Sequence, residues 1–226
     1  MNIEPIAFFR SPFSSKFGIP RQSGLVSELR GTVEFVAPYR HADALRGLED
    51  YDYVWLVWGF SEHVAAEKHA TVRPPLLGGN ERVGVWATRS SFRPNNLGLS
   101  SVRIAAVDTQ RVTIDVLGAD LMDGTPIYDV KPYLPQVDSH PAARGGFTDR
   151  HAWQTLEVVF ADGVADSLSP AECEVLRQVL ALDPRPHYHH DDERLYGMPF
   201  HNWDVSFRVS GQQLTVVALR KIAAND

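Results

Sequence analysis

The first roughly 135 residues hold about seven or eight strand-length segments divided by turns, with almost no helical pattern between them. A chain of short strands at that spacing has to close its sheet into a barrel or fold it into a sandwich. The segments fall at residues 3–10, 31–36, 51–60, 83–87, 99–107, 110–117 and 127–134. In 110–117, Val112, Ile114 and Val116 alternate with Arg111, Thr113 and Asp115, the pattern of a half-buried strand. Residues 51–60, YDYVWLVWGF, are the most apolar run and predict a strand buried on both faces. Residues 41–48 suggest a short helix that Gly47 weakens.

After a turn-rich stretch at 136–150 the pattern changes. A strand is expected at 154–161. Ser169 and Glu172 form an S-x-x-E capping box with Pro170 at the first helical position. The helix should run to about Ala181 with Leu176, Val179 and Leu180 on one face, and 203–209 with 212–219 should pair as a hairpin through Ser210-Gly211. The expected fold is mainly β, with an N-terminal β-barrel domain at 1–140 and a small C-terminal α+β domain at 151–226.

The charge balance narrows the partners. A net charge of −6 argues against indiscriminate nucleic-acid binding but leaves room for a local basic patch. The one cysteine, Cys173, excludes a disulfide within the chain and is expected to fill the core. The N-terminus lacks a basic start followed by an apolar run, and no apolar stretch approaches the ~18 residues of a membrane span. A soluble cytoplasmic protein is expected. Dinucleotide and P-loop glycine motifs, a G-x-S-x-G elbow and an H-E-x-x-H pair are all absent. His187, His189, His190 and His201, near Asp191, Asp192 and Glu193, invite a metal reading. His187 and His189 would point away from His190 on an extended chain, so a solvated loop and no metal site are expected.

Function is expected in three polar turns. Residues 16–22 carry Lys16 and Arg21, 90–96 carry Arg93, Asn95 and Asn96 with Arg89 just before them, and 120–126 follow with Asp120 and Asp123. Turns held by strands keep their polar groups free to bind. If the three share one end of a barrel, they outline a pocket suited to a charged nucleoside.

The run GVWATRSSFRPNNLGLS resembles the signature of the TsaA-like family, whose bacterial members include the TrmO-type tRNA methyltransferases. KFGIPRQSGLV, GLEDYDYVWLVWGF, DLMDGTPIYDVKPYLP and DPRPHY fit the same pattern in order, over nearly the whole chain. The resemblance implies a homodimer that binds S-adenosylmethionine in a β-barrel. It implies methylation of the exocyclic amine of threonylcarbamoyl-adenosine, next to the anticodon of tRNAs for threonine. Carried over by position, the donor contacts are Pro20, Arg21, Gln22, Ser61, Glu62, Arg89 and Leu99, with Asp120, Leu121, Met122, Asp123, Gly124 and Thr125. Ser61 stands where relatives often carry His, with His63 close by.

The chemistry needs alignment and the loss of one proton from the attacking nitrogen. Asp129, Lys131 and Tyr133 alternate along one strand and are candidates for the base, or for simple strand-end packing. Phe92, Arg93, Lys131, Arg185 and Tyr188 are candidates to contact the tRNA anticodon loop, since single-stranded RNA is read by stacking and by Arg planes. A non-catalytic module that binds S-adenosylmethionine or a nucleotide is the alternative.

Overall fold

The computed structural model describes residues 2–61, 69–151, 153–185, 192 and 194–222. Eight strands precede residue 135: β1 (Ala7–Arg10), β2 (Arg30–Phe35), β3 (Tyr53–Gly59), β4 (Thr71–Val72), β5 (Val83–Gly84), β6 (Leu97–Asp108), β7 (Thr113–Leu117) and β8 (Pro126–Pro132). Six of them close a barrel in the order β1-β2-β7-β6-β3-β8, and β4 with β5 forms a separate two-stranded ribbon. Closure removes the sheet edges that would otherwise invite pairing with other chains. The inward residues alternate as the pleat requires: Phe9, Val33, Leu56, Val102, Ile114, Val116 and Ile127 are at most 1% exposed.

Two local expectations change. β3 is buried on one face only: Val54, Leu56 and Trp58 point into the core, while Tyr53 is 41% exposed. Its apolar run therefore dresses the barrel's outer wall as well as its core. The segment 83–87 is a strand only at Val83–Gly84, because Val85–Ala87 winds into a 3-10 turn. Residues 41–48 likewise hold a 3-10 turn at Ala42–Leu45.

A short helix α1 (Pro135–Asp138) leads away from the barrel, and Asp138 accepts from the Trp55 indole at 3.0 Å. The second unit contains β9 (Glu157–Phe160), α2 (Pro170–Ala181), β10 (Tyr196–Phe200), β11 (Trp203–Ser210) and β12 (Gln213–Lys221). Its sheet order is β10-β11-β12-β9, with β9 parallel to β12. α2 starts on the expected cap: Glu172 N–H donates to Ser169 Oγ at 3.3 Å and Ser169 N–H to the Glu172 carboxylate at 2.9 Å. Such a cap is worth about 1 kcal/mol. Leu176, Val179 and Leu180 are buried as the periodicity predicts, whereas Cys173 is only half-buried and stands outside the core.

The core of this second unit is not built from its own segment alone. Phe13, Val26 and Leu29, from the long β1–β2 connection, are at most 2% exposed within the cluster formed by α2 and the four-stranded sheet. Phe13 meets Phe200 edge-on with ring centroids 5.7 Å apart. At Gly18, φ +92°, an added Cβ would overlap the Met198 side chain, so only glycine admits this approach. The β1–β2 connection thus serves both units. Phe13→Ala should cost about 3–5 kcal/mol in urea unfolding, the usual penalty for emptying a fully buried Phe site. Residues 151–226 alone, lacking Phe13, Val26 and Leu29, should show no cooperative transition by near-UV circular dichroism.

Candidate functional site

β1, β3 and β7 run the same way round the barrel, because β2, β6 and β8 pair antiparallel between them, and β3 ends beside the start of β6. The three polar turns therefore emerge at one end of the barrel. The end of β1 and the β1–β2 connection are fastened to the β7–β8 turn by backbone bonds: Gly24 N–H to Gly118 O, Gly124 N–H to Phe9 O and Asp123 N–H to Phe13 O, each 2.8 Å. Between them lies a cavity of about 760 Å³.

Its apolar wall is aromatic. Trp58 and Phe60 meet edge-on at 4.4 Å between centroids, with Trp55, Leu97 and Leu99 alongside. Gly98 permits this wall, because a Cβ there would fall inside the Trp58 ring. The Trp58 indole N–H donates to Ser100 Oγ at 3.0 Å, and the Ser100 hydroxyl donates to Asp120 Oδ1 at 2.6 Å. This relay fixes the half-buried Asp120 carboxylate at the cavity wall. Burial pushes its carboxyl above the usual carboxylate range. The Ser100 hydroxyl, backbone N–H groups and the Arg89 charge pull it only partly back.

The polar wall is cationic. Lys16, Arg21, Arg89 and Arg93 line the cavity against the single lining carboxylate among the described residues, Asp120. Arg89 Nη1 donates to Gln22 Oε1 at 2.6 Å, and Gln22 Nε2 to the Arg21 carbonyl at 2.5 Å, so the first two turns are tied side chain to side chain. Burial lowers the Arg21 guanidinium below the ordinary arginine value, and the Asp183 charge offsets part of that.

Of the expected donor contacts, Pro20, Arg21, Gln22, Ser61, Arg89, Leu99, Asp120, Met122 and Thr125 line the cavity. Leu121, Asp123 and Gly124 do not. Leu121 is 1% exposed in the barrel core. The Asp123 carboxylate accepts from Ser11 N–H at 3.1 Å and stands 3.9 Å from Arg10, while Gly124 serves the backbone stitch to Phe9. Glu62 and His63 lie outside the described residues.

Asp129, Lys131 and Tyr133 are not among the lining residues. Lys131 pairs with Asp129 at 2.8 Å on the barrel exterior, and Tyr133 packs against Tyr53 and Trp55. Of the expected RNA contacts, Arg93 lines the cavity and braces its loop by donating to Val85 O at 3.3 Å and Thr88 O at 2.6 Å. Phe92 is half-buried with its ring edge-on to His69. Arg185 is held by Asp183 at 2.9 and 3.0 Å. Tyr188 lies outside the described residues, as do His187, His189, His190, Asp191 and Glu193. Among the described residues no three His, Cys, Asp or Glu side chains gather as a metal site.

The expectations from sequence omitted Trp58, Phe60 and Thr88 from the lining. They also omitted Trp86, which is 70% exposed with the Arg93 guanidinium 5.4 Å from its ring. The period-2 pattern of β3 would have identified Trp58 as inward-facing. Nothing local marks Trp86.

The raised Asp120 carboxyl has a measurable sign. A group harder to ionise when folded subtracts stability once pH exceeds its unfolded value, about 4, and the loss grows until pH passes the folded value. Asp120→Asn keeps an acceptor for Ser100 and removes that penalty. It should raise the melting temperature at pH 7 by roughly 2–4 °C, with the gap closing toward pH 4. Equal melting at pH 7 would contradict a strained carboxylate.

Comparison with known proteins agrees with this architecture. The tRNA-methyltransferase O N-terminal domain matches residues 8–139 and the TrmO C-terminal domain residues 153–222. A tRNA (adenine(37)-N6)-methyltransferase of Escherichia coli K12 is 39% identical, over 96% of each chain. One of the same name from Eikenella corrodens is 40% identical over 76% of this chain and 98% of its own. A crystal structure of TrmO from Pseudomonas aeruginosa superposes with a TM-score of 0.78 at 32% identity, covering 97% of this chain and 98% of the other. Matched by family models in both units and similar to the Escherichia coli relative over 96% of each chain, the chain belongs to the tRNA-methyltransferase O family.

Proposed function

We propose that this protein is an S-adenosylmethionine-dependent tRNA methyltransferase acting on N6 of adenosine 37, next to the anticodon. The single observation that carries the reading is the cavity itself. An aromatic wall, a fixed carboxylate and a cationic rim meet in one hollow of about 760 Å³, within the size range of small-ligand sites. The donor set fits S-adenosylmethionine. Trp58, Phe60 and Leu99 can cover an adenine face, Arg21 and Arg89 suit the methionine carboxylate, and Asp120 suits a cationic or hydroxyl-bearing part. When bound, the donor supplies an activated methyl group on a sulfonium whose leaving group is neutral.

The chain's own contribution is then alignment and charge. Pro20 stiffens the first turn and Gln22 fixes Arg89, so the rim is preorganised rather than recruited on binding. The transfer forms a nitrogen–carbon bond, breaks the sulfur–carbon bond and releases one proton from the nitrogen. Positioning of this kind can supply several kcal/mol of barrier lowering. Asp129, Lys131 and Tyr133 are weak choices for the base, given their places outside the cavity. Asp120, half-buried and hard to ionise, is better placed to hold a proton at the cavity wall. The resemblance in sequence supports threonylcarbamoyl-adenosine in tRNAs for threonine as the substrate nucleoside.

For the tRNA partner, the cationic rim supplies phosphate contacts on an otherwise acidic protein, and exposed Trp86 beside Arg93 supplies a stacking face for an unpaired base. The two units, 1–140 and 151–226, would divide the labour between donor binding and tRNA docking. Arg185 is a candidate contact on the second. A cytoplasmic homodimer completes the reading. The exposed outer face of the barrel at Tyr51 and Tyr53, 38% and 41% exposed, supports a self-association surface.

Mass-spectrometric profiling of tRNA nucleosides tests the reaction. A strain lacking the gene should lose the methylated threonylcarbamoyl-adenosine, and unchanged levels would remove the assignment. In calorimetric titration with S-adenosylmethionine, Arg89→Ala should weaken binding about tenfold or more, as for loss of a charge-assisted bond. Tyr53→Arg should shift the light-scattering mass from two chains toward one. A monomeric wild type would dismiss the dimer.

A further inference from the structure

Outside the contacts so far assigned, three observations converge on Arg21. Its Cζ stands 3.9 Å from the centroid of the Trp153 ring. Its Nη2 donates to the Asp183 carbonyl at 3.0 Å. Asp183 itself adopts φ +50°, the left-handed region, directly before Pro184. That setting is uncommon for any residue with a side chain, and Asp is among the few that tolerate it. A residue before proline is restricted further. Unusual backbone of this sort persists where surrounding structure holds it, and it clusters at functional positions.

Trp153 precedes β9 and Asp183 follows α2, so both belong to the second unit, while Arg21 lines the barrel cavity. The Asp183 carboxylate is engaged with Arg185, which leaves the carbonyl as the group offered to Arg21. From Arg21 the connection continues through Gln22 to Arg89. The donor-facing rim is thus anchored outside the barrel.

We propose that Trp153 and the Asp183 carbonyl form a latch that fixes Arg21 at the cavity rim, making methyl-donor affinity depend on the second unit. Both are positioning residues, acting through Arg21 without touching the donor. The proposal rests on the reading of the cavity as the S-adenosylmethionine site. An aromatic face beneath a guanidinium attracts the cation through its π electrons and fixes where that charge stands at the cavity rim. A barrel without this latch would have to order a long, flexible arginine on binding, which weakens affinity.

The test is calorimetric titration of S-adenosylmethionine into the full-length wild type, Trp153→Phe and Trp153→Leu, with steady-state kinetics on tRNA. Leucine keeps apolar bulk and loses the π face. It should weaken donor binding about fivefold or more, and phenylalanine by no more than about threefold. KM for the donor should rise for Trp153→Leu while kcat at saturating donor stays, a split that general loosening would not give. Asp183→Gly and Asp183→Val both drop the carboxylate, but only glycine keeps the left-handed carbonyl, so only the valine variant should lose donor affinity. A wild type that takes up no S-adenosylmethionine overturns the donor site and the latch with it. A wild type that binds, with Trp153→Leu binding equally well, overturns the latch alone.

Discussion

The open end of the barrel depends on backbone hydrogen bonds that join the end of β1 and the β1–β2 connection to the β7–β8 turn. Gly24 N–H reaches Gly118 O, Gly118 N–H reaches Leu29 O, Asp123 N–H reaches Phe13 O, and Gly124 N–H reaches Phe9 O. Buried peptide groups must find partners, and here they find them across some hundred residues of chain. The stitch holds Arg21, Gln22 and Asp120 around one hollow. It also sends Phe13, Val26 and Leu29 outward into the neighbouring core. One connection therefore shapes the site and welds the second unit to the barrel.

Charge is distributed to match. The chain carries a net −6, yet the cavity presents Lys16, Arg21, Arg89 and Arg93 around one carboxylate among its described residues. A local basic field steers an anionic ligand to this mouth without making the whole surface adhesive to nucleic acid. Burial makes Asp120 harder to ionise inside that field, and the Arg89 charge offsets part of that. Proteins keep such unfavourable groups where function uses them. Trp58 and Ser100 hold the carboxylate in a single orientation.

Much of this was legible in the chain. Short alternating segments predicted a closed β architecture, and six of eight strands close the barrel. The capping box predicted α2 with its buried face, and the Ser210-Gly211 turn predicted the last hairpin. The misreadings have physical reasons. β10 has no counterpart among the expected strands, and its Pro199 is tolerated because β10 is an edge strand. β3 reads as doubly buried because aromatic residues also dress the outer wall of the barrel. Asp123 stands outside the cavity lining, where its carboxylate accepts from Ser11 N–H.

Periodicity, turn chemistry and motif order are local properties, and the sequence by itself determined what they can carry: the strand-built fold, the helix start, the family resemblance and most residues of the cavity rim. Which side chains share a space is not local, because hydrogen bonds and core contacts between distant segments set it. Only the tertiary structure decided that Phe13 belongs to the second core, that Trp58 and Ser100 orient Asp120, and that Trp153 and Asp183 hold Arg21. No window along the chain contains both partners of any of these contacts.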